Sequence, residues 1–119
     1  MTLEEQVKAI VKALADKKAE NVRTYDVRGI SGLCDAFVVA TGTAAPHLKG
    51  LVAGTQQAMR AAGVASYRTS GDPESGWIVV DYVDVVVHVF SPEARAYYAL
   101  ERLWEKPAEK KEGDADAAS

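Results

Sequence analysis

The chain has 119 residues, is 48% hydrophobic, carries a net charge of −3 and contains one cysteine. Those figures allow a single domain with one core, since a domain near this length buries roughly two-thirds of its unfolded-chain surface and needs no covalent staples. A lone Cys34 excludes an intramolecular disulfide and a cysteine metal cluster, and suits a reducing cytoplasm. Without a basic surplus, the chain is not expected to bind nucleic acid through its phosphates.

The start, Met1-Thr2-Leu3-Glu4-Glu5, is acidic and reads as neither a secretory signal nor an Arg-rich transit peptide. No apolar run approaches the ~20 residues that cross a bilayer, so no membrane is expected as a partner. Thr2 and Glu5 have the spacing of a capping box. Leu3, Val7, Ile10, Val11 and Leu14 then recur at helical spacing, predicting a helix over 3–18.

Residues 21–27 read as a short strand leading into the turn-prone Arg28-Gly29-Ile30-Ser31-Gly32. Residues 35–41 form a second strand, apolar on both faces in its middle and therefore covered on two sides. Pro46 fits the first turn of the next helix, whose stripe is Leu48, Leu51, Val52, Thr55 and Met59 and whose stop is Gly63. A weak strand over 64–70 leads through a Gly-rich loop to two stronger ones, 77–82 and 84–90. Ser91-Pro92-Glu93 starts a last helix, with Ser as cap, carrying Tyr97, Leu100, Leu103 and Trp104. Pro107 closes the ordered part. Residues 1–105 are thus one domain, and 106–119 read as a charged, disordered tail. The element order predicts an α/β (α+β) fold, a mixed five-stranded sheet flanked by helices.

Pairing Asp81 with Asp84 across a Tyr82-Val83 turn would set Trp77 opposite His88. It would also place Trp77, Val79, Asp81, Asp84, Val86, His88 and Phe90 on one face. The other face, Ile78, Val80, Val85, Val87 and Val89, is wholly apolar and belongs in the core. The turn lacks the Gly or Asn that two-residue hairpins favour, so a wider loop would shift the register.

Candidate chemistry is sparse. Asp84 and His88 lie roughly 13 Å apart along a strand at ~3.3 Å per residue, too far to share an ion. No metal site or cofactor is expected. Thr41-Gly42-Thr43 precedes a helix as phosphate loops do, but neither GxxxxGK[ST] nor GxGxxG is present, so a plain strand-to-helix turn is the reading. Cys34 reads as a packed thiol, His47 as a surface or capping residue, and His88 as a core histidine with a secondary candidacy at an interface. Aromatics with arginine mark binding hot spots, which brings forward Trp77 and, on the last helix, Arg95, Tyr98 and Glu101.

The stretch from Gly76 to Phe90, GWIVVDYVDVVVHVF, followed by Arg95 and then Tyr97-Tyr98-Ala99-Leu100-Glu101-Arg102-Leu103-Trp104, resembles the C-terminal half of ribosome silencing factors of the Iojap-like family. Asp35-Ala36-Phe37-Val38-Val39-Ala40-Thr41-Gly42-Thr43 is similar to that family's "DYFVIATGTS" segment. The likeness runs in order and spacing over about residues 3–105. It departs at Ala44, Ala45, Pro46 and His47, where the family often has Ser, a polar or basic pair and Gln. It departs again at Val83, which replaces a frequent Gly.

The resemblance implies a nucleotidyltransferase-like fold without catalysis. It further implies a cytoplasmic translation repressor that binds large-subunit ribosomal protein number fourteen and blocks subunit joining under nutrient limitation. The expected partner surface is Trp77, Asp81, Tyr82, His88, Arg95, Tyr98 and Glu101. The alternatives are a magnesium-dependent nucleotide enzyme of degenerate nucleotidyltransferase type using Asp81 and Asp84, and a generic dimerisation adaptor. Exposed aromatics are compatible with a homodimer.

Overall fold

A computed structural model describes residues 1–29, 32, 34–66 and 68–99. The tail 106–119, together with Glu101, Leu103 and Trp104, lies outside the described residues.

Helix α1 runs Leu3–Asp16 and opens with the capping box, Thr2 Oγ1 accepting from the Glu5 N–H and the Glu5 carboxylate accepting from the Thr2 N–H. Strands β1 (Glu20–Asp26) and β2 (Ala36–Thr41) follow, then helix α2 (Ala45–Ala61). Pro46 sits in its first turn, and Gly63 ends it at φ 88°, a conformation that costs glycine little. Strand β3 (Arg68–Asp72), one 3-10 turn (Pro73–Ser75), strands β4 (Trp77–Asp81) and β5 (Val85–Phe90), and helix α3 (Pro92–Tyr98) complete the described chain.

The sheet order is β1-β2-β5-β4-β3. β2 and β5 are parallel at its centre, and the remaining neighbours are antiparallel. This is the mixed five-stranded α+β sheet that the order of elements predicts. The third strand begins and ends later than its residues indicate, at 68–72 instead of 64–70.

One sheet face lies under α1 and α2. There Ile10, Leu14, Leu48, Leu51 and Met59 meet Val38, Ala40, Ile78, Val80, Val85, Val87 and Val89, nearly all fully buried. The other face carries Tyr25, Val27, Phe37, Val39 and Phe90, with Trp77 and Val86 half-buried at its margin. Among the described residues the short α3 packs on it, burying Ala94.

The β4–β5 hairpin differs from its expected register by one pair. Trp77 lies opposite Phe90, Val79 opposite His88, and Asp81 opposite Val86. The Tyr82 N–H donates to Val85 O at 2.8 Å, and the Asp84 N–H donates to Tyr82 O at 2.9 Å. The reversal is thus a tight turn centred on Val83, which takes φ 77°. Asp81 Oδ1 accepts from the Val83 N–H at 2.7 Å and stabilises that turn. Moving the register by two residues preserves which side chains share a face. The two faces are therefore as expected, except that Asp84 leaves its face for the turn.

Candidate protein-binding face

The face of β4 and β5 that packs against α3 brings together an aromatic group. Trp77 begins β4 directly after Gly76, whose φ of 85° turns the chain out of the 3-10 segment. A side chain there would also meet Ser91 Oγ at 2.6 Å. The indole stacks on Phe90 at 5.1 Å between centroids and leans on Tyr98 at 4.6 Å. Tyr97 meets Tyr98 edge-on at 5.0 Å. Trp77 Nε1–H donates to His88 Nδ1 at 3.2 Å, and His88 also packs 5.2 Å from Phe37.

His88 is only 6% exposed, and burial pulls its pKa down to about 4. At neutral pH the ring is uncharged. With Nδ1 accepting from Trp77, its proton is on Nε2. His88 thus orients the indole and belongs to the support beneath the surface.

Most of the expected partner residues fall around this group. Trp77 is half-buried, Tyr98 is 46% exposed, and Asp81 stands at the far end of β4, half-buried, beside the turn. Arg95, half-buried on α3, donates to Asn21 O and to Thr41 Oγ1, both at 2.7 Å. Tyr82 is a correction. It follows Asp81 and so points to the opposite face, where it is 4% exposed in the helix-covered core and burial pushes its hydroxyl up to about 12. Glu101 lies outside the described residues.

Tyr97, placed on the last helix from sequence, is on α3 and 81% exposed, and α3 ends at Tyr98 with Ala99 in the left-handed region. Val79 and Val86, half-buried on the same face, had only their period-two alternation to mark them.

The other candidates are structural. Cys34 is buried and its thiol donates to Ala36 O at 3.6 Å, while burial pushes its pKa up to about 11, which makes it a poor nucleophile. His47, in the first turn of α2, accepts from the Thr43 N–H at 2.9 Å through Nδ1 and has Nε2 2.8 Å from Lys17 O, tying the strand-to-helix turn to the end of α1. Gly42 packs where a Cβ would fall 2.8 Å from Leu48 Cδ2, so the Thr-Gly-Thr turn closes on the core. Among the described residues, no three His, Cys, Asp or Glu side chains gather to hold a metal, and no helix is long and apolar enough to cross a membrane.

Fold and face together define a small α+β protein whose most distinctive surface, among the described residues, is aromatic. The chain belongs to the ribosomal silencing factor family: the family's sequence model, described as "Ribosomal silencing factor during starvation", matches residues 1–119. The ribosomal silencing factor of Halalkalibacterium halodurans is 35% identical over 87% of this chain and 89% of its own. That of Chromobacterium violaceum is 34% identical over 91% and 90%. A mitochondrial Iojap-related protein of Arabidopsis thaliana is 35% identical over 80% of this chain and 54% of its own. Crystal structures of proteins from Chromobacterium violaceum and Bacillus halodurans superpose with TM-scores of 0.84 and 0.76. They are 36% and 35% identical, covering 87% and 85% of this chain and 87% and 94% of theirs.

Proposed function

We propose that this protein docks on the large ribosomal subunit through ribosomal protein number fourteen and, by occupying the joining surface, keeps the small subunit away. Translation is thereby repressed when nutrients are scarce. The action is steric, needs no cofactor and belongs in the cytoplasm. Family membership supports the ribosomal setting, and the single observation supporting the docking site is the Trp77–Tyr98 aromatic pair on a thinly covered sheet face. Exposed or half-exposed aromatics on a rigid sheet serve as binding anchors, because they bring large contact area at little cost in side-chain entropy.

Trp77, Tyr98 and Asp81 form the proposed contact surface, with His88 beneath it. On the helix-covered face the described aliphatic side chains are spent on the core. The same aromatic face would serve a homodimer in the free protein, which partner binding would then have to displace.

Co-sedimentation with separated ribosomal subunits is the test. Stoichiometric binding to the large subunit alone, with loss of joined ribosomes, is expected, and Tyr98→Ala should weaken it about thirtyfold or more while the far-UV spectrum stays unchanged. Binding to the small subunit, or to neither, would overturn the assignment.

A further inference from the structure

Tyr98 sits at the end of a seven-residue helix that buries one alanine, yet its ring is held 4.6 Å from the indole of Trp77. Apolar packing by α3 is too slight to fix that geometry. The stronger hold is Arg95, one turn before Tyr98 and on the same side of the helix. Its Nη1 donates at 2.7 Å to Asn21 O on β1 and at 2.7 Å to Thr41 Oγ1 at the end of β2, residues 74 and 54 positions away in sequence. Both bonds have a charged donor, and such bonds are shorter and stronger than neutral ones.

Both acceptors are specifically placed. The β1–β2 register slips between Glu20↔Thr41 and Arg23↔Val39, and Asn21 takes φ 48° inside that irregularity. A bulge bends the strand and frees a backbone group from the ladder, and asparagine tolerates the left-handed region better than most residues. Thr41 is 3% exposed, and a hydroxyl at that depth needs a partner.

We infer that Arg95 is a positioning residue that clamps α3 onto the β1 bulge and the end of β2, and so sets Tyr98 against Trp77, without itself touching the ribosomal partner. The role differs from the direct contact expected of Arg95 as a member of the partner surface. The binding part of the inference rests on the docking proposed above, whereas the clamp does not.

The test uses full-length Arg95→Met, Thr41→Val, Tyr98→Ala and the Arg95→Met/Tyr98→Ala double variant. Amide exchange at Arg95 and Ala99 reports on α3, whose N–H groups there bond Ser91 O and Arg95 O. Ring-to-ring nuclear Overhauser effects report on the Tyr98–Trp77 contact, and sedimentation with purified large subunits reports on affinity. Arg95→Met should speed α3 exchange, weaken the ring contact and reduce affinity about tenfold, which corresponds to ~1.4 kcal/mol.

Thr41→Val should act in the same direction to a smaller degree. Because Thr41 is buried, it reaches the partner only through the clamp. In the Tyr98→Ala background Arg95→Met should cost nothing further, since the two act as one unit. The clamp is overturned if Arg95→Met leaves α3 exchange and the ring contact as in the parent. It is equally overturned if the affinity loss is the same with and without Tyr98. If the parent chain fails to sediment with large subunits, the docking reading falls, and exchange and ring contacts still decide the clamp.

Discussion

The two faces of the sheet carry different chemistry on the same strands. Under α1 and α2 the side chains are aliphatic and close-packed, and Val38, Val80 and Val85 are fully buried. On the reverse, the alternate residues are Phe37, Trp77, Asp81, His88 and Phe90, a mixture of rings with polar edges beneath one short helix. The contrast separates the face that supplies the aliphatic core from the face proposed for recognition. Aliphatic packing fills space and offers a partner nothing, while rings with polar edges can hold one another in place and still present a surface. Substitutions on one face should therefore change folding, and on the other, binding.

The sharpest way to break the comparison is on the helix-covered face. Leu51→Ala removes a fully buried side chain from α2 and should cost about 3 kcal/mol in chemical denaturation. A cost below ~1 kcal/mol would mean that this face is not the stabilising one.

Next is the acid behaviour of the aromatic face. The folded-state pKa of His88 is lowered to about 4 from 6.5 by burial, so the unfolded chain holds more protons between those values. Stability is fully present above pH 6.5 and falls as pH drops towards about 4, by on the order of 3 kcal/mol in total. His88→Gln should remove most of that slope in denaturation curves taken from pH 7 to 4. An unchanged slope would assign it to the carboxylates instead.

Tyr98→Ala should weaken large-subunit binding by ~2 kcal/mol or more, as for a hot-spot aromatic, and shift the melting temperature by only a few degrees. A large loss of stability with binding retained would invert the roles of the two faces.

The smallest effect expected is at the turn that sends Asp81 to one face and Tyr82 to the other. A β-branched residue at φ 77° is strained. Val83→Gly should stabilise the protein by about 1 kcal/mol, relief of strain outweighing the added freedom of the unfolded chain. Destabilisation would show that the Val83 side chain, 55% exposed, contributes packing that its exposure does not reveal.

Much of this was legible in the residues themselves. The capping box at Thr2 and Glu5, the stripes of both long helices, the stop at Gly63 and the division of β4 and β5 into two faces follow from local rules, and local geometry enforces them. A period of two survives even a shifted hairpin, which is why the aromatic face could be named with its register off by one pair.

What only the tertiary structure decided are matters of which distant groups meet. Tyr82 was a surface candidate by type and by resemblance, and its position one residue past Asp81 put it in the core. His88 proved to be the acceptor for Trp77, because the strands pair so that Val79, and not Trp77, lies opposite it, leaving the indole one pair away to reach across. Arg95 found its acceptors on β1 and β2 because a bulge exposed one carbonyl and the end of a strand buried one hydroxyl. Periodicity fixes the face on which a side chain lies, whereas register, bulges and helix ends fix what it touches there, and those depend on packing between segments far apart in the chain.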